Sequence, residues 1–256
     1  MNGNGMRLEG GETVNNMLAA SQGITDPQNG FKGVKLTQPK DELHIVNVKS
    51  VSGFDGYVVD NQGQVFLADT QATAENPLGL ALQANVIDST KTGNTGGRGS
   101  TTITNSTLTI APDYKIDQSY VEIDNQSTVN TRVDGLIASG VTNNTGTINM
   151  YGGNEADDTT AQTLMTSVMG KTGILHIMAS TGGTGSNIKV EGETVIADTV
   201  LVDNGSKLTI GASNITGGEI INRGTLALGE GVLGYGITEG TVTPHTGKTI
   251  ITGNIY

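Results

Sequence analysis

The sequence contains no cysteine and no tryptophan, and aromatic residues make up only 4% of its 256 residues. The lack of cysteine excludes disulfide bonds, cysteine-based zinc sites and thiol catalysis. Charged residues are also scarce, at 15%, against about 25% in an average soluble domain. We therefore expect a core built from small aliphatic side chains, mainly valine, isoleucine and leucine.

Positive charge is particularly scarce. The chain has 14 Lys and Arg residues against 25 Asp and Glu, which gives a net charge of -11. Nucleic acids and anionic membranes both require a cluster of basic residues, so neither partner is expected. No apolar run of about 20 residues could insert this segment into a membrane. The first ten residues also lack the apolar run of a signal peptide.

Glycine, threonine, serine and asparagine take the place of the missing residues, with 38 glycines alone. Two segments share one pattern, Asn204-Gly-Ser-Lys-Leu-Thr-Ile-Gly211 and Asn222-Arg-Gly-Thr-Leu-Ala-Leu-Gly229. In both, Asn stands four residues before an apolar residue, and a second apolar residue follows two positions later. Apolar residues two apart share one face of a strand, while Asn and Gly tolerate the backbone conformations of tight corners. The pattern predicts a corner followed by a very short strand.

The pattern recurs along the chain. Further matches are 4–10, 61–67, 125–129, 144–150 and, shifted by one residue, 105–110. The first apolar residues of all the matches are Leu8, Val65, Leu108, Val129, Ile148, Leu208 and Leu226. If the long intervals between them contain two or three repeats, every repeat spans about 20 residues, a length typical of solenoid coils. This period predicts an all-β fold, a parallel β-helix whose coils pair with one another, with the whole chain 1–256 as a single solenoid.

The pattern also predicts which residues form the corners and which form the core. The corner residues are Asn125, Asn144, Asn204, Asn222, Gly146 and Gly224. The core residues are Val129, Ile148, Leu208, Ile210, Leu226 and Leu228. An inward Asn at each corner could stack its amide on the next, which would satisfy polar groups that are otherwise buried. The alternative fold is a sandwich or meander of hairpins, with Asn-Gly pairs as turns and 57–67 as one hairpin.

Two segments interrupt the pattern and are expected to leave the solenoid. The first, 71–101, ends in a glycine-rich stretch with little apolar content, which predicts a loop. The second, 153–173, predicts a helix because Leu164, Met165, Val168 and Met169 would share one helical face after an Asp cap. Such excursions often carry a binding surface, but they are equally consistent with tolerated insertions.

Residues suited to catalysis or metal binding are scattered. His44, His176 and His245 have no metal-binding spacing and are interpreted as strand residues. The run Gly229-Glu-Gly-Val-Leu-Gly234 matches a dinucleotide-binding pattern, but no helix-forming sequence follows it, so corner glycines are the better interpretation.

The carboxylates are the remaining candidates. Asp157 and Asp158 are adjacent and diverge on any strand or helix, and Asp198 and Asp203 could line one face with Lys207. Asp157 and Asp158 therefore form no catalytic pair by themselves, and Asp198 and Asp203 are interpreted as solvated corner residues. No catalytic residue, metal site or cofactor is predicted.

The repeats at 144–153, 204–211 and 222–229 resemble the passenger repeats of bacterial autotransporter adhesins of the diffuse-adherence and filamentous-haemagglutinin type. The resemblance covers 102–256 best and 1–68 less well. It implies a right-handed parallel β-helix that is secreted, displayed at the cell surface and used for adhesion or self-association. The membrane barrel and signal peptide of the family are missing here, as expected of a passenger fragment, and so is the Gly-Asp-Ser-Gly motif of protease-type passengers.

The predicted function is therefore a non-enzymatic adhesin or self-association module, part of a longer precursor at the bacterial cell surface. Its expected partner is a host-cell surface receptor or glycan, or a second copy of the chain. One alternative is a carbohydrate-active β-helix, such as a polysaccharide lyase or a phage tailspike depolymerase. Another is a structural filament subunit joined end to end, since Ile250, Ile251 and Ile255 are predicted to lie in an open terminal coil.

Overall fold

The structure is a computed structural model and is a parallel β-solenoid with almost no helix. It describes residues 6–9, 33–36, 40–47, 57–61, 63–71, 80–83, 99–110, 112, 114–180, 183–211, 215–228, 236–237 and 241–244. The predictions for His245, Ile250, Ile251 and Ile255 fall outside these ranges. The chain divides into two compact units, Met1–Val129 with Ile137–Gly140, and Asn130–Leu136 with Val141–Tyr256.

Within the described residues, the first unit contains nine strands, which pair in parallel with strands of neighbouring turns. They are β1 (Met6–Glu9), β2 (Gly33–Leu36), β3 (Glu42–Val46), β4 (Tyr57–Asn61), β5 (Gln64–Ala68), β6 (Leu80–Gln83), β7 (Ser100–Thr104), β8 (Thr107–Thr109) and β9 (Ile116–Ile123). One ladder follows the order β1, β3, β5, β7, β9, and a second follows β2, β4, β6, β9.

Two strands cross the boundary between the units, β10 (Thr128–Arg132) and β11 (Leu136–Asn144), separated by a 3-10 turn at Val133–Gly135. The second unit continues with β12 (Thr147–Tyr151), β13 (Gln162–Thr163), β14 (Thr166–Met169), β15 (Ile174–Ile177), β16 (Asn187–Val190), β17 (Val195–Val202), β18 (Lys207–Ile210), β19 (Ile215–Asn222), β20 (Thr225–Leu228), β21 (Gly236–Ile237) and β22 (Thr241–Pro244).

In the second unit one ladder joins β12, β15, β17, β19 and β21, and β14 also pairs with β17. A separate sheet joins β13, β16, β18, β20 and β22, again entirely in parallel.

The core is formed by inward side chains that repeat every second residue along the strands. Each strand pairs in register with the next, so inward residues stack into apolar columns. One such column is Ile188, Leu208 and Leu226, which are successive register partners. The six residues predicted for the core are all buried, with at most 1% of their surface exposed: Val129, Ile148, Leu208, Ile210, Leu226 and Leu228.

The lengths of the turns follow from the register partners. Thr101 pairs with Val121, which is one predicted period further along the chain. Val65, however, pairs with Thr101, and Ile148 pairs with Leu175, and both of these turns are longer than the predicted period. The division of the long intervals into repeats of equal length is therefore wrong at these places. A solenoid accepts long turns because only the paired strands must keep their register.

The predicted helix in 153–173 is absent from this segment, all of which the structure describes. The segment instead contains β13, β14 and a single 3-10 turn at Asp158–Thr160, which Asp157 caps through the Thr159 N–H. Leu164 is buried while Met165 is 47% exposed, so neighbouring side chains point to opposite sides. Strand pairing with the following turn thus outweighs the helical spacing of the apolar residues.

The other predicted excursion, 71–101, is described only at 71, 80–83 and 99–101. Within it, β6 pairs with β4 and β9 of the first unit. No helix in the described ranges is long and apolar enough to cross a membrane.

Candidate functional site

Serine hydroxyls connect successive corners inside each unit. In the first unit the Thr70 N–H donates to Ser106 Oγ (3.0 Å), and the Ser106 N–H donates to Ser127 Oγ (3.1 Å). In the second unit the Ser186 N–H donates to Ser206 Oγ in the same way (3.1 Å). These serines are buried, and their hydroxyls satisfy backbone groups that would otherwise lose a partner.

The predicted corner asparagines fall into two groups. Asn125 and Asn204 are exposed, whereas Asn144 and Asn222 are fully buried. Asn125 and Asn204 are followed two residues later by Ser127 and Ser206, which occupy the inward position.

Asn144 and Asn222 are followed two residues later by Gly146 and Gly224, and here the amide turns inward. The Gly224 N–H donates to Asn222 Oδ1 (3.1 Å), and a Cβ at Gly224 would lie 2.2 Å from the Ser206 carbonyl oxygen. The four asparagines therefore do not form the single inward stack that the sequence predicts.

On the outer face of the second unit, a row of polar side chains crosses three strands and the corner beyond a fourth. Asn149 Nδ2 donates to Asn130 Oδ1 (2.7 Å), and Asn149 Oδ1 lies 3.0 Å from His176 Nδ1. His176 Nε2 lies 2.9 Å from Asp203 Oδ1, although its direction does not make an aligned hydrogen bond. The contact becomes an ion pair when the imidazole is protonated. His176 is thus a strand residue, as predicted, but one with polar neighbours on both edges of its ring.

A second polar cluster forms around Asp158. Lys207 Nζ lies 2.6 Å from Asp158 Oδ1, and Asn187 Nδ2 donates to the same oxygen (3.1 Å). The hydrogen bond from Lys207 and then that from Asn187 hold the pKa of Asp158 below its ordinary value. The pKa of Asp157 is also lowered, first by the Thr159 hydroxyl and then by the Thr159 N–H.

The carboxylates considered for catalysis therefore have different neighbours. Asp158 contacts Lys207, Asp203 contacts His176, and the Thr199 hydroxyl donates to Asp198 (3.3 Å). The face that Asp198, Asp203 and Lys207 could have lined is the disfavoured interpretation, and Lys207 pairs with Asp158 instead. Within the described residues, no group of three or more His, Asp or Glu side chains could hold a metal ion.

The outer face of the first unit carries an aromatic pair. His44 on β3 and Phe66 on β5 are register partners, and their rings stack with centroids 4.6 Å apart and planes 14° apart. Glu42 Oε2 lies 2.9 Å from His44 Nε2, so the carboxylate holds the imidazole at its edge while Phe66 covers one ring face. All three side chains are half-buried on an outward face.

Neither outer face is among the features predicted from the sequence. His44 and Phe66 are separated by one predicted period, so a search for aromatic residues one turn apart would have found this pair. Asn149 and His176 are separated by a longer turn, which the predicted period does not reach.

No family model, curated protein or solved structure matches this chain.

Proposed function

We propose that this chain is a non-enzymatic adhesive module displayed at a bacterial cell surface as part of a longer precursor. Its outward strand faces bind a host-cell receptor or glycan. The strands of each turn are locked in register with their neighbours, so outward side chains are held in fixed rows. A rigid row of side chains loses little conformational entropy on binding, which favours recognition of a repetitive or extended partner.

The observation that carries this proposal is the set of contacts made by the Asp carboxylates. A polysaccharide lyase or hydrolase needs acidic side chains that converge on one point of the substrate. Here Asp158 bonds Lys207 and Asn187, Asp203 contacts His176, and Asp157 caps its own turn. Each of these carboxylates already has a partner that stabilises a corner, a strand face or a turn, and this favours binding over turnover.

The proposal is tested by adhesion and turnover assays on the same preparation. Beads coated with the purified chain should adhere to epithelial cell monolayers in a saturable manner, and soluble chain should compete. Beads coated with heat-unfolded chain serve as the control. The proposal would be contradicted if the folded chain adhered neither to cells nor to other copies of itself.

The enzymatic alternative is tested with pectin, alginate and chitin. We expect no release of reducing ends or unsaturated products. Product release that disappears in Asp158→Asn or Asp203→Asn would establish catalysis and overturn the adhesive assignment.

A further inference from the structure

The outer face of the first unit contains a notch that follows from the strand register. Strand β7 places two small residues outward, Ser100 and Thr102. Its neighbour β5 places Gln64 and Phe66 at the same positions. Because Ser and Thr are much smaller than these partners, the outer surface is lower along β7 than along β5.

The other wall of the notch is strand β9. Ser100 pairs with Tyr120, and Thr102 pairs with Glu122. Across β7, Glu122 therefore stands opposite Phe66, and Tyr120 stands opposite Gln64. Strands β5 and β9 are two inter-strand spacings apart, or about 9 to 10 Å. That width admits one small ring between the walls but does not admit a protein helix.

The orientation of the Phe66 ring is set by its stack on His44. The centroid separation of 4.6 Å is close to the distance between neighbouring strands, so the rings stack along the direction from β3 to β5. One face of Phe66 is therefore covered by His44. The opposite face is directed towards β7, where the facing described residue is the small Thr102, and it forms one side of the notch.

The notch also offers polar groups. Thr102, Tyr120 and Glu122 are half-buried, and none of their side chains has a hydrogen bond or ion pair to another described residue. They provide two hydroxyls and one carboxylate next to an aromatic face. A small ring with one apolar face and polar edges would find a partner for each surface.

We propose that this notch binds a neutral pyranose residue of a glycan, and this proposal rests on the adhesive function above. The C–H face of the sugar lies on Phe66, and its hydroxyls bond Glu122, Tyr120 and Thr102. Glu122 and the net charge of -11 disfavour uronic or sialic acids.

The test uses arrays of neutral gluco-, galacto- and manno-oligosaccharides, followed by calorimetric titration of any that bind. Phe66→Ala should weaken binding about tenfold or more by removing the stacking face. Thr102→Tyr should weaken it similarly by filling the notch, while Phe66 stays in place. Tyr151→Ala, an outward aromatic change on β12 of the second unit, is the matched control and should leave the affinity unchanged.

Circular dichroism of each variant establishes that the fold is retained, and Thr102→Tyr keeps the test valid if Phe66→Ala unfolds. Glycan affinity that is unchanged by Thr102→Tyr would place the site elsewhere and overturn the inference. A preference for acidic glycans would also overturn it. Adhesion to cells without binding to any neutral oligosaccharide would refute the notch assignment and leave the adhesive function standing.

Discussion

Replacing Leu208 with Ala tests the stacked core most directly. Leu208 lies on β18 and is only 1% exposed. Its register partners are Ile188 on one side and Leu226 on the other, and both are buried. Leu208 is therefore an interior member of an apolar column with a neighbour in each adjacent turn.

The expected loss follows from how little this site can relax. Leu→Ala changes in protein cores cost about 2 to 5 kcal/mol, and the cost rises with the cavity that remains. Here the backbone hydrogen bonds to β16 and β20 hold the flanking turns about 4.8 Å away on each side. The turns cannot close over the missing methyl groups, so we expect a loss in the upper part of the range, about 3 to 5 kcal/mol.

Urea unfolding followed by circular dichroism gives the free energy of unfolding, provided that the slope with denaturant is unchanged. Ile174→Ala is the matched control, because Ile174 on β15 is outward and 36% exposed, and it should cost under about 1 kcal/mol. A loss below about 1 kcal/mol for Leu208→Ala would place this residue outside the packed column and refute the register of β16, β18 and β20.

Three further predictions concern the corners and the 3-10 turn at Asp158–Thr160. The buried Gly152 N–H donates to Ser186 Oγ, so Ser186→Ala removes its acceptor. This change should lower the free energy of unfolding in urea by about 1 to 3 kcal/mol. Asn222→Ala should cost about 1 to 3 kcal/mol, whereas Asn204→Ala should stay within about 0.5 kcal/mol; equal losses would contradict the two corner classes. The pKa of Asp158 is lowered by Lys207, so its contribution to stability is present above the unfolded-state pKa of about 3.9 and is lost as the pH falls through the lower folded-state value. Asp158→Asn should therefore reduce the difference in melting temperature between pH 7 and pH 3, and an unchanged difference would contradict the role of this carboxylate.

The strands and their inward residues could be predicted from the sequence because both depend on local alternation. In Thr225–Leu228 the apolar residues stand two apart, and Leu226 and Leu228 are buried as predicted. A pattern with a period of two places side chains on one face whatever the rest of the chain does. The core could be predicted from the sequence for this reason.

The corners could be predicted only in part, because one further residue decides which way the asparagine points. Where Ser206 follows Asn204, the serine hydroxyl occupies the inward position and the amide is exposed. Where Gly224 follows Asn222, no side chain occupies that position, and the Asn222 amide fills it. The distinction is present in the sequence as Asn-x-Ser against Asn-x-Gly. It becomes visible only when the serine hydroxyl and the asparagine amide are treated as competitors for the same inward position.

The outer faces could be predicted only where a turn keeps the predicted period, because side chains meet there through the register of successive turns. Phe66 meets His44 after a turn close to the predicted period, whereas Phe66 and Thr102 meet only after a much longer turn. A fixed period would place other residues opposite Phe66 and would not reveal the small pair on β7. Inward positions tolerate this uncertainty, since any apolar residue can stack on any other. Outward positions do not tolerate uncertainty in the turn length, because recognition depends on which particular side chains become neighbours. In a solenoid with turns of unequal length, the fold is therefore encoded locally, while the binding surface is encoded by the turn lengths.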